Sequence, residues 1–184
     1  MSKINLEKYP IGNYEEPSSI TKEMRSEYSS IIASFPENLK YELVSLTDEK
    51  LNTPYRDGGW TIRQVVHHLA DSNMSCFSRI KYALTEESPV IKPFEEGVWA
   101  ILLDAHHFPI EPSLKILEGV HARWAALLDS LDEKDWKRDF FHPQLSKNLK
   151  IEEAMAKYTW HCKHHLAHIT HTKQKMGWLE HIID

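Results

Sequence analysis

The sequence predicts an all-α protein, a four-helix bundle running up and down with one long crossover. Three observations lead there. Apolar residues recur at helical spacing along the long segments, prolines and glycines gather between those segments, and one short stretch near 139–150 reads as a minor hairpin or loop. A chain of 184 residues fits a single domain over 1–184, because single domains commonly run ~100–200 residues.

The elements follow in order. Residues 1–18 carry Pro10, Gly12 and Pro17 and are expected to form an extended arm against the body. A first helical stretch begins near Thr21. Pro36 predicts a kink or break in it, before a second piece ending near Leu46. Asn52 to Gly59 is a turn-rich loop. Thr61 with Gln64 three residues later is a capping box, and Ile62, Val65, Val66, Leu69, Phe77 and Ile80 continue the helix it opens. Pro89, Pro93, Pro109 and Pro112 make residues 86–112 a long connection with at most one short helix, around Trp99. A third helix is predicted from about Ser113 to Ser130, with Leu114, Leu117, Val120, Trp124 and Leu127 on one face. The last runs from about Ile151 to Met176 and stops at Gly177, roughly 39 Å at ~1.5 Å per residue. Leu46 to Leu51 and Leu131 to Trp136 echo each other weakly.

Net charge is −5, so no global cationic field draws nucleic acid or anionic lipid. Neither a signal-peptide core nor the ~18 apolar residues of a membrane span occurs. Cys76 and Cys162 are the only cysteines and read as thiols in a reducing compartment, so a cytoplasmic location is expected.

Histidine is the unusual feature. There are 12, and His161, His164, His165, His168 and His171 fall within one helical stretch. Taking 100° per residue, His165 falls about 40° from the centre of the apolar stripe and His161 about 80°. His168 lies at about 100°, and His164 at about 140°, on the polar side with Lys157 and His171. His161 and His165 are therefore inward or boundary residues four apart, near enough for two imidazoles to share one ion. On the earlier helix His68 sits about 120° from the stripe and His67 about 140°, which leaves the third partner open. An inward histidine is otherwise an ordinary hydrogen-bonded core residue. His106, His107, His121, His171 and His181 read as surface or core-edge, and Cys162 as core packing rather than a soft ligand. No Glu follows His161, so the zincin peptidase motif is absent.

Longer blocks carry a resemblance. Tyr9-Pro10-Ile11-Gly12, the run Thr53 to Asp71 (with Arg56-Asp57-Gly58-Gly59-Trp60-Thr61 and His67-His68-Leu69-Ala70), and Trp160-His161 through His165-Leu166-Ala167-His168-Ile169 resemble the YfiT group of the DinB superfamily over nearly the whole chain. The resemblance implies a DinB-type four-helix bundle, a homodimer, and one Zn²⁺ or Ni²⁺ ion held by His68, the His before Leu, together with His161 and His165. It also implies a metal-dependent enzyme acting on a small molecule, either a hydrolase or a transferase using a low-molecular-weight thiol such as bacillithiol. Three neutral ligands leave a metal position open for water or a thiol. Asp71, three residues after His68, is a candidate to orient an imidazole or act as a base, against a plain helix-surface role. Tyr55 and Arg56 are candidates to bind an anionic substrate group, against loop anchoring, and His142 is a weaker candidate for the pocket rim. The competing classes are a metal sensor or storage protein without turnover, and an interaction module with incidental histidines.

Overall fold

The computed structural model describes residues 6–178 of the chain. Thr21 opens the first helix, α1 (Lys22–Leu43), by accepting the Met24 N–H on its hydroxyl at 3.3 Å. Pro36 does not break this helix, contrary to expectation. Proline has no N–H to give the carbonyl one turn back, that of Ile32, and His121 Nδ1 donates to that carbonyl instead at 2.7 Å. Helix α2 (Asp48–Leu51) is a single turn capped by Thr47.

Helix α3 (Ile62–Thr85) starts from the predicted capping box. The Gln64 N–H donates to Thr61 Oγ1 at 3.2 Å, and the Thr61 N–H to Gln64 Oε1 at 2.9 Å. The connection that follows holds two short helices rather than one, α4 (Glu96–Trp99) and α5 (Leu103–His106). Four scattered prolines leave spans of several residues between them, room enough for single turns.

Helix α6 (Glu111–Asp129) carries Pro112 in its first turn, where the missing N–H costs nothing. Helix α7 (Glu133–Lys137) is capped by Asp132, so both echoing segments are short capped helices, α2 and α7. The 139–150 stretch is an antiparallel hairpin of β1 (Asp139–His142) and β2 (Lys147–Lys150), with Phe140 opposite Leu149 and both buried. Helix α8 (Ile151–Lys175) begins where Glu153 accepts the Lys150 N–H at 3.0 Å. It ends at Gly177, whose φ of +67° is the left-handed conformation that glycine adopts without strain.

Helix α1 packs against α6 and α8, and α3 packs against the same two. The order around the bundle is α1, α6, α3, α8, so the consecutive pairs α1/α3 and α6/α8 lie across the diagonals. The core falls in two clusters. Ile32, Ile80, Trp124, Phe140 and Met155 belong to one, and Leu39, Val65, Leu69, Leu117 and Ile169 to the other. At ~1.5–3 kcal/mol for each large apolar side chain removed from water, this burial is the main favourable term holding the helices together. The described part of the N-terminal arm lies along α8, where Tyr14 meets the Trp160 edge at 5.8 Å. No helix among the described residues is long and apolar enough to cross a membrane.

Candidate metal centre

The packing of α3 on α8 brings one face of each helix to a common edge. There His68 Nε2 lies 3.1 Å from His161 Nε2, and His165 Nε2 lies 3.1 Å from the same atom. The three candidate ligand atoms all fall within 4.8 Å of one another. These contacts do not work as hydrogen bonds. An imidazole nitrogen has either one N–H or one in-plane lone pair, so His161 Nε2 cannot serve two partners well. Nitrogens bound tetrahedrally at ~2.0–2.1 Å stand roughly 3.3 Å apart, close to the spacing seen. Burial pulls His68 down to about 4 and holds His161 and His165 well below the ordinary histidine value, with neighbouring histidines adding to it. All three therefore present neutral lone pairs at pH 7, a donor set that suits Zn²⁺ and Ni²⁺.

One candidate ligand has a visible support. His168 Nε2 lies 3.2 Å from the Lys8 carbonyl, which only accepts, so this nitrogen carries the proton. Neutral His168 then accepts on Nδ1, 3.3 Å from His165 Nδ1. His165 must donate there, which leaves its Nε2 lone pair facing His68 and His161. The Tyr55 ring stacks on His168 at 3.9 Å, and Trp60 lies 4.8 Å from the His68 ring. His161 Nδ1 has no partner among the described residues.

The helical wheel misplaced His164. It is buried, not on a solvated face, and stacks on Trp160 at 4.5 Å with Tyr9 of the arm 6.1 Å away. The arm covers what a single-helix projection shows as outside. His164, His165 and His168 also cluster closely enough to hold an ion. Within that group His165 and His168 are joined by the hydrogen bond between their Nδ1 atoms at 3.3 Å.

The remaining histidines divide plainly. His67 turns towards α6, with Nδ1 2.8 Å from Ser113 Oγ and Nε2 3.1 Å from the Phe108 carbonyl. His121 is fully buried, neither surface nor core-edge. His106, His107 and His171 are exposed, and His181 lies outside the described residues. Cys162 is core: its thiol donates to Asn73 Oδ1 at 3.4 Å, and burial pushes it up to about 12, far from a thiolate ligand.

Asp71 is not brought to the histidines. Among the described residues it makes no hydrogen bond to them and does not line their cavity. Three residues turn it about 60° from His68, and burial, then Asp104 on α5, raise its carboxyl to about 6. Tyr55 does line the cavity, a space of about 450 Å³, whereas Arg56 stays outside it, over the Tyr55 ring with Nη1 on the Asp57 carbonyl. His142 lines it too.

Sequence reasoning missed Trp60, Phe94, Arg79, Lys157 and Tyr158, which share that lining. Arg79 was legible. Eleven residues from His68 are three helical turns, which return to the same face within about 20°. Trp60 and Phe94 sit in connections, where periodicity carries no signal.

The DinB superfamily model matches residues 32–169. A Bacillus subtilis protein named "Putative metal-dependent hydrolase YfiT" is 45% identical over 178 residues, 97% of this chain and 99% of its own. Its counterpart in Geobacillus thermodenitrificans, also named "Putative metal-dependent hydrolase", is 47% identical over 178 residues, covering 97% of this chain and 100% of that one. The solved structure of YfiT, described as a probable metal-dependent hydrolase with an unusual four-helix bundle topology, superposes with a TM-score of 0.92 at 44% identity, over 95% of this chain and 99% of that one. Sequence and architecture agree over almost the full length, and the chain belongs to the DinB superfamily.

Proposed function

We propose that this protein is a metal-dependent enzyme acting on a small molecule, with His68, His161 and His165 holding one Zn²⁺ or Ni²⁺ ion per chain. The observation that carries this reading is the convergence of three neutral imidazole nitrogens, 3.1 Å between neighbours, on a cavity of about 450 Å³. A divalent ion with three neutral ligands brings a water or thiol at its remaining position towards deprotonation near neutral pH, a nucleophile for hydrolysis or for S-transfer from a low-molecular-weight thiol such as bacillithiol.

The protein's own residues prepare the site. His168 keeps the His165 lone pair turned inward, and Trp60 shields His68 from bulk water. The cavity has the size of a small-molecule pocket, and the hydrolase names of the relatives support the enzyme class. The same reading makes the chain one domain over 1–184, a homodimer and a cytoplasmic protein, with neither nucleic acid nor membrane as partner. Its net charge of −5 is in keeping with the last point.

The test compares metal-free protein with protein reloaded with Zn²⁺ or Ni²⁺. One substrate is an activated ester; the other is a chloro-dinitroarene offered with and without a small thiol. Thiol-dependent turnover selects the transferase, and turnover in water alone selects the hydrolase. Fully loaded protein that is inactive on broad panels of both leaves a metal-binding sensor or storage protein and removes the enzyme.

A further inference from the structure

Four Arg and Lys side chains are buried among the described residues: Arg25, Arg63, Arg79 and Lys173. Three have carboxylate partners. Arg25 pairs with Glu133 and Glu152, Arg63 with Asp48, and Lys173 with Glu42. Arg79 has none. Its Nη1 donates to the Tyr158 hydroxyl at 3.1 Å and its Nη2 to the Lys92 carbonyl at 3.2 Å, both neutral acceptors. A buried guanidinium satisfied only by neutral groups keeps an uncompensated charge, which a low-dielectric surrounding makes costly. The other buried cations show how this fold ordinarily meets that cost.

Arg79 lines the same cavity as the three histidines, and so do Lys157 and His142. Lys157 is half-buried and likewise makes no ion pair among the described residues. His142 has its Nδ1 buried with no partner among the described residues, and both Arg79 and Lys157 act on it electrostatically. The one carboxylate in the lining is Glu96, which is exposed. Apart from that exposed carboxylate, the described lining gathers cations, in a chain that is net acidic overall. Tyr158 links it to the metal candidates. Its hydroxyl accepts from Arg79 while its ring lies 5.9 Å from the His161 ring. Along α3, Arg79 is three turns from His68, about 16 Å of helix rise.

We infer that the cavity takes a substrate bearing a carboxylate or phosphate group, which Arg79 and Lys157 hold while the rest of the molecule reaches the three histidines. This rests on reading the cavity as the substrate site. The charged group supplies the missing counter-ion, and the aromatic walls at Trp60, Phe94 and Trp160 receive an apolar body.

The test uses three probes with one apolar body: 4-phenylbutyrate, 4-phenylbutyl phosphate and the neutral 4-phenylbutyramide. Each is titrated by calorimetry into the full chain, both metal-free and Zn²⁺-loaded. The metal-free titration separates binding at Arg79 from carboxylate or phosphate binding to the ion itself. The anions should bind metal-free protein roughly tenfold or more tighter than the amide, and the tighter of the two names the anion. Arg79→Gln and Lys157→Gln should each weaken anion binding roughly tenfold and leave amide binding nearly unchanged.

If Arg79→Gln does not fold, Lys157→Gln carries the test, since Lys157 makes no ion pair among the described residues whose loss would disturb the fold. Amide binding equal to that of the anions, absence of anion binding, or unchanged anion binding in the folded variants would overturn the inference. Anion binding that persists in a protein without catalytic turnover would sink the enzyme reading, and with it the word substrate, while the anion site at Arg79 and Lys157 would stand as a ligand site.

Discussion

His121 donates its Nδ1–H to the carbonyl of Ile32 across 2.7 Å, the acceptor that Pro36 leaves empty within α1. A histidine 89 positions away in sequence thus completes the hydrogen-bond ladder of another helix. Its Nε2 has no partner among the described residues, so replacing the ring with phenyl removes only this bond. His121→Phe should lower stability by about 1–3 kcal/mol in denaturant melts, the usual cost of stranding a buried acceptor. In a Pro36→Ala background, where residue 36 can itself donate to Ile32, the same substitution should cost clearly less. Equal costs in the two backgrounds would show that the carbonyl is not the reason.

The same ring sets a pH dependence. Burial lowers His121 from 6.5 to about 4. Between those values the unfolded chain takes up a proton that the folded one refuses. Its contribution to stability is therefore complete above about pH 6.5 and falls as pH drops towards 4, by about 3 kcal/mol in all. The difference between wild type and His121→Phe across pH 4–7 isolates this group from the other histidines. A difference independent of pH would refute it.

Metal content should separate two adjacent histidines. Protein purified without chelator should hold close to one ion per chain by elemental analysis. His68→Ala, His161→Ala and His165→Ala should each lose most of it, since two imidazoles make a far weaker site. His67→Ala should keep the ion and lose stability instead, because it strands Ser113 Oγ and the Phe108 carbonyl. His164→Ala should also keep the ion while losing its stacking on Trp160. Equal metal loss at 67 and 68 would place the wrong face of α3 at the site.

His168 should act on the metal through His165. His168→Leu removes the acceptor that holds the His165 tautomer and should weaken the ion's affinity by ~10–100-fold in chelator competition. His168→Gln offers a carbonyl to His165 and an amide N–H to Lys8, so it should restore most of the loss. Nitrogen-15 spectra of the metal-free protein should show His165 protonated on Nδ1 in wild type and in the Gln variant. If Leu and Gln bind metal alike, the relay has no role.

Much of this was legible in the chain itself. The Thr61 and Gln64 side chains specify the start of α3 because a capping box is a local matter, settled within one turn. The pairing of His161 with His165 follows from helical period alone, since four residues return to the same face whatever surrounds the helix. Distant partners decided the rest. The angular distances of His67 and His68 from the apolar stripe differ by only about 20°, and only the resemblance to the family singled out His68. In the folded protein the two side chains part company because α6 meets one and α8 the other. Neither the burial of His164 under the N-terminal arm nor the continuity of α1 through Pro36 is encoded near those residues. Local sequence sets backbone period and caps through bonds a few residues apart, whereas burial and hydrogen-bond partners depend on which remote segments pack alongside, and only the tertiary structure brings those together.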